Sequence, residues 1–257
     1  MGAVEGQRVR RAPDPVAAWL LRRHPKLLPT FAAPSILAML RARSQIVDGM
    51  VAGEVAAAKA RGETLAYWSI GGGFDARWYR LRPLLMGITG HHELEDPEVM
   101  AFKEQVLADS TFAGHWNGIR RDTAKERQWA LPPSDQPVLV VLEGVAVRLG
   151  VPALRDLLQR LRTQVPQATL ILDLPGMLQS QQVTGASLAV GSARSRWLSA
   201  SATGAASLRR RQIEHLGWRV HDDIWMSARP ELRAPSGVAI CAGVEAFRLL
   251  RLKAMPD

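Results

Sequence analysis

The 257-residue chain is expected to fold as an α/β protein, an open and mostly parallel sheet with helices on both faces. Three observations predict this. Strand-like and helix-like segments alternate from Thr64 onward. Two of the strands, VLVVLEG from Val138 and ATLILD from Ala168, are continuous runs of β-branched residues and Leu, as expected of parallel strands buried on both faces. The first strand stops at Gly71, Gly72 and Gly73, and a glycine cluster after a strand marks a tight turn or a ligand close to the backbone.

In chain order, residues 1 to 13 read as a loose arm. Asp14 followed by Pro15 is an N-cap with proline at the first helical position, so a helix starts there. Pro34 repeats the device and opens a long Ala-rich helix to Gly62, whose Ile36, Leu40, Ile46, Val47 and Met50 recur at helical spacing. Both helices precede the first strand, so residues 1–62 are expected to form an arm and helical lid ahead of a sheet domain spanning 63–257. Strands are expected at 64 to 70, 88 to 94, 138 to 143 and 168 to 173, with another near Asp122. Helices are expected at 97 to 109, 124 to 131 and 151 to 164. The Ser-, Gly-, Ala- and Gln-rich segment 174–207 breaks the rhythm and reads as a functional flap. A helix (LRRRQIEHLG), a strand (WRVHDDIWM) and a final apolar run (GVAICAGVEAFRLLRL) close the chain.

Bulk composition narrows the classes. No apolar run reaches the roughly 18 residues of a membrane span, and the N-terminus lacks the pattern of a signal peptide. The one cysteine, Cys241, excludes an internal disulfide and a cysteine metal cluster, so a cytoplasmic protein without a metal is expected. The net charge of +9 raises nucleic acid as a partner. Its arginines are scattered, however, without interleaved aromatics or zinc-finger spacing, so nucleic acid is disfavoured. A small anionic substrate or an acidic partner fits the charge as well.

Ligands of such sheets sit at the carboxyl ends of the strands, near the point where strand order reverses. Four features fall there: Gly71-Gly72-Gly73, then Glu93 and Glu95, then Asp122, then Glu143-Gly144. A glycine turn after the first strand, with an acid ending the second, suits an adenosine-type cofactor. A phosphate-binding G-x-x-x-x-G-K-[ST] is missing and so is the third glycine of G-x-G-x-x-G. That favours S-adenosylmethionine, which has no pyrophosphate to hold.

Each residue also has a plainer role. Arg43 on an amphipathic helix reads as a solvated charge. Of Glu93 and Glu95, one is expected to face the site and the other solvent. Asp122 could cap a helix from Ala124. Glu143 ends a buried strand, where a carboxylate needs a partner. His91 and His92 are adjacent in a strand and point to opposite faces, which argues against a shared metal. Trp68, Trp78, Trp116 and Trp129 read as core, with one of them able to cover an adenine.

IGGGFDARWYRL, Ile70 to Leu81, resembles the L-G-A-G-F-D-T-R-x-x-R-L motif of the leucine carboxyl methyltransferase family, whose members are class I S-adenosylmethionine-dependent methyltransferases. Three more segments match in order. RSQIVD from Arg43 resembles R-T-x-x-I-D, ELEDPEVMAFK from Glu93 resembles E-V-D-x-P-x-V-x-x-x-K, and PVLVVLEGVAVRL from Pro137 resembles P-T-L-V-I-x-E-G-V-L-x-Y-L. The resemblance spans roughly residues 35 to 175. It implies a Rossmann-like sheet in which Arg43 pairs with the cofactor's carboxylate and Gly71, Gly72 and Gly73 line it. It further implies Glu95 at the ribose, Asp122 at the adenine and Glu143 near the amino end, with Glu93 beside them. Asp75 and Arg77 look like supports of the glycine turn.

Two positions depart from the family pattern. Glu95 stands where Asp is usual, and Arg148 where Tyr is usual. The resemblance implies methyl transfer to a carboxylate or hydroxyl, with Arg148 a candidate to hold an anionic acceptor. His91, His92 and His221 are candidate general bases for a hydroxyl. The family includes enzymes that methylate a protein phosphatase's C-terminal leucine and bacterial enzymes that O-methylate small molecules. The high Ala and Arg content points to the bacterial branch and specialised metabolism. A catalytically silent scaffold of the same fold, or a basic nucleic-acid-binding protein, is the alternative.

Overall fold

The computed structural model describes residues 15–23, 34–88, 90–108, 119–123, 131–175, 208–226 and 247–255, with the single positions 110, 112 and 129. Its elements run α1 (Pro15–Arg23), α2 (Pro34–Ala60), β1 (Ala66–Ile70), α3 (Arg77–Arg80), α4 (Arg82–Leu85), β2 (Gly90–Glu95), α5 (Pro97–Ala108) and β3 (Ile119–Thr123). They continue β4 (Val138–Leu142), α6 (Val145–Gln164), β5 (Ala168–Pro175), α7 (Arg210–Glu214), β6 (Trp218–Trp225) and β7 (Phe247–Ala254).

These strands form one seven-stranded sheet in the order β3-β2-β1-β4-β5-β7-β6. The pairs β1–β2, β1–β4, β2–β3 and β4–β5 are parallel, and β7 inserts antiparallel between β5 and β6. Strand order reverses between β1 and β4. The crevice at their carboxyl ends is therefore where this architecture binds ligands.

The apolar runs work through the two-residue period of a strand. Trp68, Ile70, Val138, Val140, Leu142, Leu170 and Leu172 point to one face, against Leu154, Leu157, Leu158 and Leu161 of α6 and Ile213 of α7. The alternate residues Tyr67, Leu139, Val141, Ile171 and Leu249 point to the other face, against Ile46, Val47, Met50, Val51 and Val55 of α2. The body of α2 is thus a layer of the core. Arg251 of β7 also ties it down, donating to Glu54 at 2.6 Å.

A smaller cluster packs Val16 and Leu20 of α1 on Ala76, Val106 and Leu107 beside the glycine turn. In α6, Gly150 has φ 71° and breaks the helix just before Pro152, so the segment expected at 151 to 164 is preceded by a short turn from Val145. The arm at 1–13, the flap beyond Pro175 up to 207, Trp116, Cys241 and nearly all of the helix expected at 124–131 lie outside the described residues. Among the described residues no helix is long and apolar enough to cross a membrane.

Leu139 is wholly buried in the central strand, whereas Met86 is 70% exposed. Leu139→Ala should lower unfolding free energy by about 2–5 kcal/mol, and Met86→Ala by less than about 0.5 kcal/mol. Urea midpoints of the two variants check this.

Candidate active site

At the carboxyl end of β1 the chain turns through Gly71, Gly72 and Gly73, which differ in why they are glycine. Gly71 has φ +63°, and a Cβ there would meet Arg148 Nη2 at 2.7 Å, Trp129 at 2.8 Å and Val145 at 2.9 Å. Gly72 is closed in by Ser69 Oγ, 2.5 Å from where its Cβ would stand. Gly73 has φ +57°, and its Cβ would meet nothing within 4 Å. Only the third glycine has an open side.

A network of opposite charges surrounds this turn. Arg43 of α2 donates from Nε to Glu143 Oε1 at 2.9 Å and from Nη1 to Asp173 Oδ2 at 2.7 Å. Ser44 Oγ donates to Glu143 Oε1 at 3.1 Å. Arg77, 1% exposed, donates to Asp48 and Asp75 at 2.7 Å each and to Glu143 Oε2. Arg80 donates twice to Asp48, both at 3.0 Å. Asp173 closes the circuit by accepting from the Gly144 amide at 2.8 Å.

Burial works against the charge on Glu143, but Arg77 and Arg43 outweigh it and hold the carboxyl down to about 2. For Asp173 burial wins over the pull of Arg43, and its pKa is raised. A cavity of about 190 Å³ opens in this network, lined among others by Arg43, Ser44, Ser69, Gly72, Arg77 and Glu143. Ser69 Oγ, in a residue only 3% exposed, has no hydrogen-bond partner among the described residues.

The remaining sequence-predicted residues are distributed as follows. Glu95 Oε2 accepts from the Gly73 amide and Oε1 from the Asp96 amide. Glu93 pairs with Lys103. The expectation that one of these two acids faces solvent is corrected: they are 3% and 1% exposed, because residues two apart in a strand share a face. Asp122 takes its place in β3 opposite Leu94. Arg148 donates from Nη2 to the Gly71 carbonyl at 2.9 Å, so it braces the glycine turn.

The three histidines do not gather at the site. His91 and His92 do lie on opposite faces of β2, against Tyr67 and Trp78 in one case and Trp68 in the other. His221 is exposed on β6, the edge strand three places from β4, about 14 Å away at ordinary strand spacing. It is out of reach of the glycine turn. Asp173, Ser69 and Ser44 were given no role by sequence reasoning, and Lys103 entered only as the closing lysine of the E-V-D-x-P-x-V-x-x-x-K resemblance. Asp173 carried a usable signal, since like Glu143 it is a carboxylate ending an apolar run.

The sequence model of the leucine carboxyl methyltransferase family matches residues 7–162. The chain belongs to that family. No curated protein sequence matches it. Among solved structures it is similar to the mitomycin 7-O-methyltransferase MmcR, at 15% identity and TM-score 0.47, over 92% of this chain and 60% of that one. The glycopeptide N-methyltransferase MtfA with S-adenosyl-L-methionine is similar at 16% identity and TM-score 0.45, over 80% and 87%. A methyltransferase from Clostridium acetobutylicum is similar at 8% identity and TM-score 0.48, over 79% and 89%. Membership of that family, which rests on the sequence model and not on these distant structures, makes the sheet a Rossmann-like methyltransferase sheet with S-adenosylmethionine as the cofactor.

The residues present fit that cofactor. Its amino-acid end carries a carboxylate and an ammonium, and the cavity offers guanidinium and carboxylate groups side by side, with a buried hydroxyl still lacking a partner. Among the described residues the network holds three guanidiniums (Arg43, Arg77, Arg80) against four carboxylates (Asp48, Asp75, Glu143, Asp173). With every acid ionised it lacks one positive charge, and S-adenosylmethionine carries one.

Two predictions follow from this geometry. Gly71→Ala should cost about 3 kcal/mol or more, combining left-handed backbone strain with overpacking, whereas Gly73→Ala should cost only the backbone part, about 1–2 kcal/mol. Urea midpoints would separate the two. The second concerns His91, whose pKa burial lowers to about 3, while an ordinary histidine titrates near 6.5. The unfolded chain takes up a proton in that window that the folded chain refuses. Stability should therefore rise with pH from 3 to 6.5, by up to ~1.4 kcal/mol per unit, and be fully present above it. Between pH 5 and 6.5 the slope should flatten in His91→Phe; an unchanged slope would assign it to other groups.

Proposed function

We propose that this chain is an O-methyltransferase that transfers the methyl group of S-adenosylmethionine to a small-molecule acceptor, in bacterial specialised metabolism. The observation that carries the reading is the charge network around the cavity, in which Arg43 of α2 meets Glu143 at the carboxyl end of β4 beside the glycine turn. In this reading Arg43 holds the cofactor's carboxylate, and Glu143, kept ionised by Arg77, holds its ammonium. Ser69 Oγ supplies a further hydrogen bond, and Glu95 accepts the ribose hydroxyls. Bound S-adenosylmethionine supplies an activated methyl on a sulfonium, so the chain's own task is alignment and the exclusion of water.

The histidines favour one class of acceptor. His91 is held neutral behind Tyr67 and Trp78, His92 lies against Trp68, and His221 is on the far edge strand. None is aimed at the site as a base. A carboxylate needs no base, because it is already ionised at neutral pH, whereas an alcohol needs one. We therefore place a small carboxylate ahead of a hydroxyl compound. A cytoplasmic location belongs to the same reading.

Calorimetric titration with S-adenosylmethionine tests it. Wild-type protein should bind in the micromolar range, and Arg43→Ala should weaken binding at least ~10-fold, the loss of one charge-assisted hydrogen-bonded pair. Transfer of labelled methyl to a panel of carboxylates should then vary little from pH 5.5 to 8. Folded protein without cofactor binding would sink the reading. Cofactor binding without transfer to any acceptor would favour a silent scaffold.

A further inference from the structure

Gly73 is held by both of its peptide groups. Its amide donates to Glu95, and its carbonyl accepts from Lys103 Nζ at 2.9 Å. Lys103 reaches it from α5 and is paired at the same time with Glu93. All three side chains are buried, at 1% for Glu95, 2% for Lys103 and 3% for Glu93.

Glycine is the residue whose own sterics restrict the backbone least, so a left-handed glycine stays in place only if something else holds it. At Gly71 the crowded walls do this; at Gly73, with nothing within 4 Å of a Cβ, walls cannot. Hydrogen bonds take over that task. A buried lysine–glutamate pair also brings little stability of its own, since an apolar pair of similar volume packs as well or better. What an apolar pair cannot do is donate to the Gly73 carbonyl.

We infer that Lys103 is a positioning residue of the cofactor site: with Glu93 and Glu95 it clamps the Gly73 peptide, fixing the open-sided glycine of the turn. The inference rests on the cofactor reading above. The same clamp orients the Glu95 carboxylate. Its two oxygens each take one backbone amide and keep a second lone pair, which leaves acceptor capacity for the ribose hydroxyls.

The test replaces the ion pair by an apolar one, Glu93→Leu with Lys103→Leu, and reads melting temperature, calorimetric binding of S-adenosylmethionine and amide hydrogen exchange across residues 71–74. Melting should stay close to wild type, binding should weaken about 10-fold or more, and the Gly73 amide should exchange faster. If the leucine pair fails to fold, Glu93→Gln with Lys103→Gln is read in the same way, because it is uncharged and too short to bridge to Gly73. Wild-type affinity within twofold and unchanged exchange, in a protein where Arg43→Ala still loses the cofactor, overturn the clamp alone. A folded wild-type protein that binds no S-adenosylmethionine overturns the cofactor reading and this inference with it.

Discussion

The buried guanidinium of Arg77 is the interaction on which the rest of the site depends. Its three nitrogens reach carboxylates from three parts of the chain: Asp48 on α2, Asp75 in the glycine turn and Glu143 at the end of β4. Burial alone would lower the pKa of such a group. The carboxylates more than compensate, Asp75 and Glu143 foremost, and its pKa stands well above the ordinary value. A planar fork with five fixed donors satisfies three anions at once, each from its own nitrogen. Removal of one partner from such a set is costly, because the others remain buried and unpaired.

This constraint explains why helix, turn and strand meet at one place. The α2 helix is fixed to the sheet by Ile46, Val47, Met50 and Val51, which sets Arg43, Ser44 and Asp48 on the side facing the strand ends. Arg43 then repeats the role of Arg77 one shell further out, 17% exposed instead of 1%, and bridges Glu143 to Asp173. In the proposed reading the partly exposed guanidinium exchanges a protein carboxylate for a ligand's, while the fully buried one holds the frame.

Much of the fold was legible in the sequence because period-two burial leaves a plain trace. The run at 138–142 is apolar at every position and that at 168–172 at every position but Thr169, since both faces of β4 and β5 are covered. The turn ahead of Gly150 was not read, and the helix was expected only from 151. The site was legible where motif residues end such runs, as with Gly71 to Gly73 and Glu143. It was misread at Glu93 and Glu95, where a shared face was taken for alternating ones. Lys103 stood in the motif resemblance but without a role, because nothing in a helix sequence tells that a lysine points inward rather than to water.

The sequence by itself determined the alternation of the main strands and helices from β1 to β5, the glycine turn and the family, because these depend on residue type and on spacing along the chain. The tertiary structure alone decided the pairings: that Arg77 is buried while Arg43 stays partly open, that Asp173 joins the network from β5, and that Lys103 crosses from α5 to Gly73. It also decided that Arg148 braces the Gly71 carbonyl and that His221 stands strands away from the site. The reason is physical. A side chain's charge and hydrogen-bonding capacity are local properties, but its burial and its partner depend on which distant segment the sheet order brings beside it.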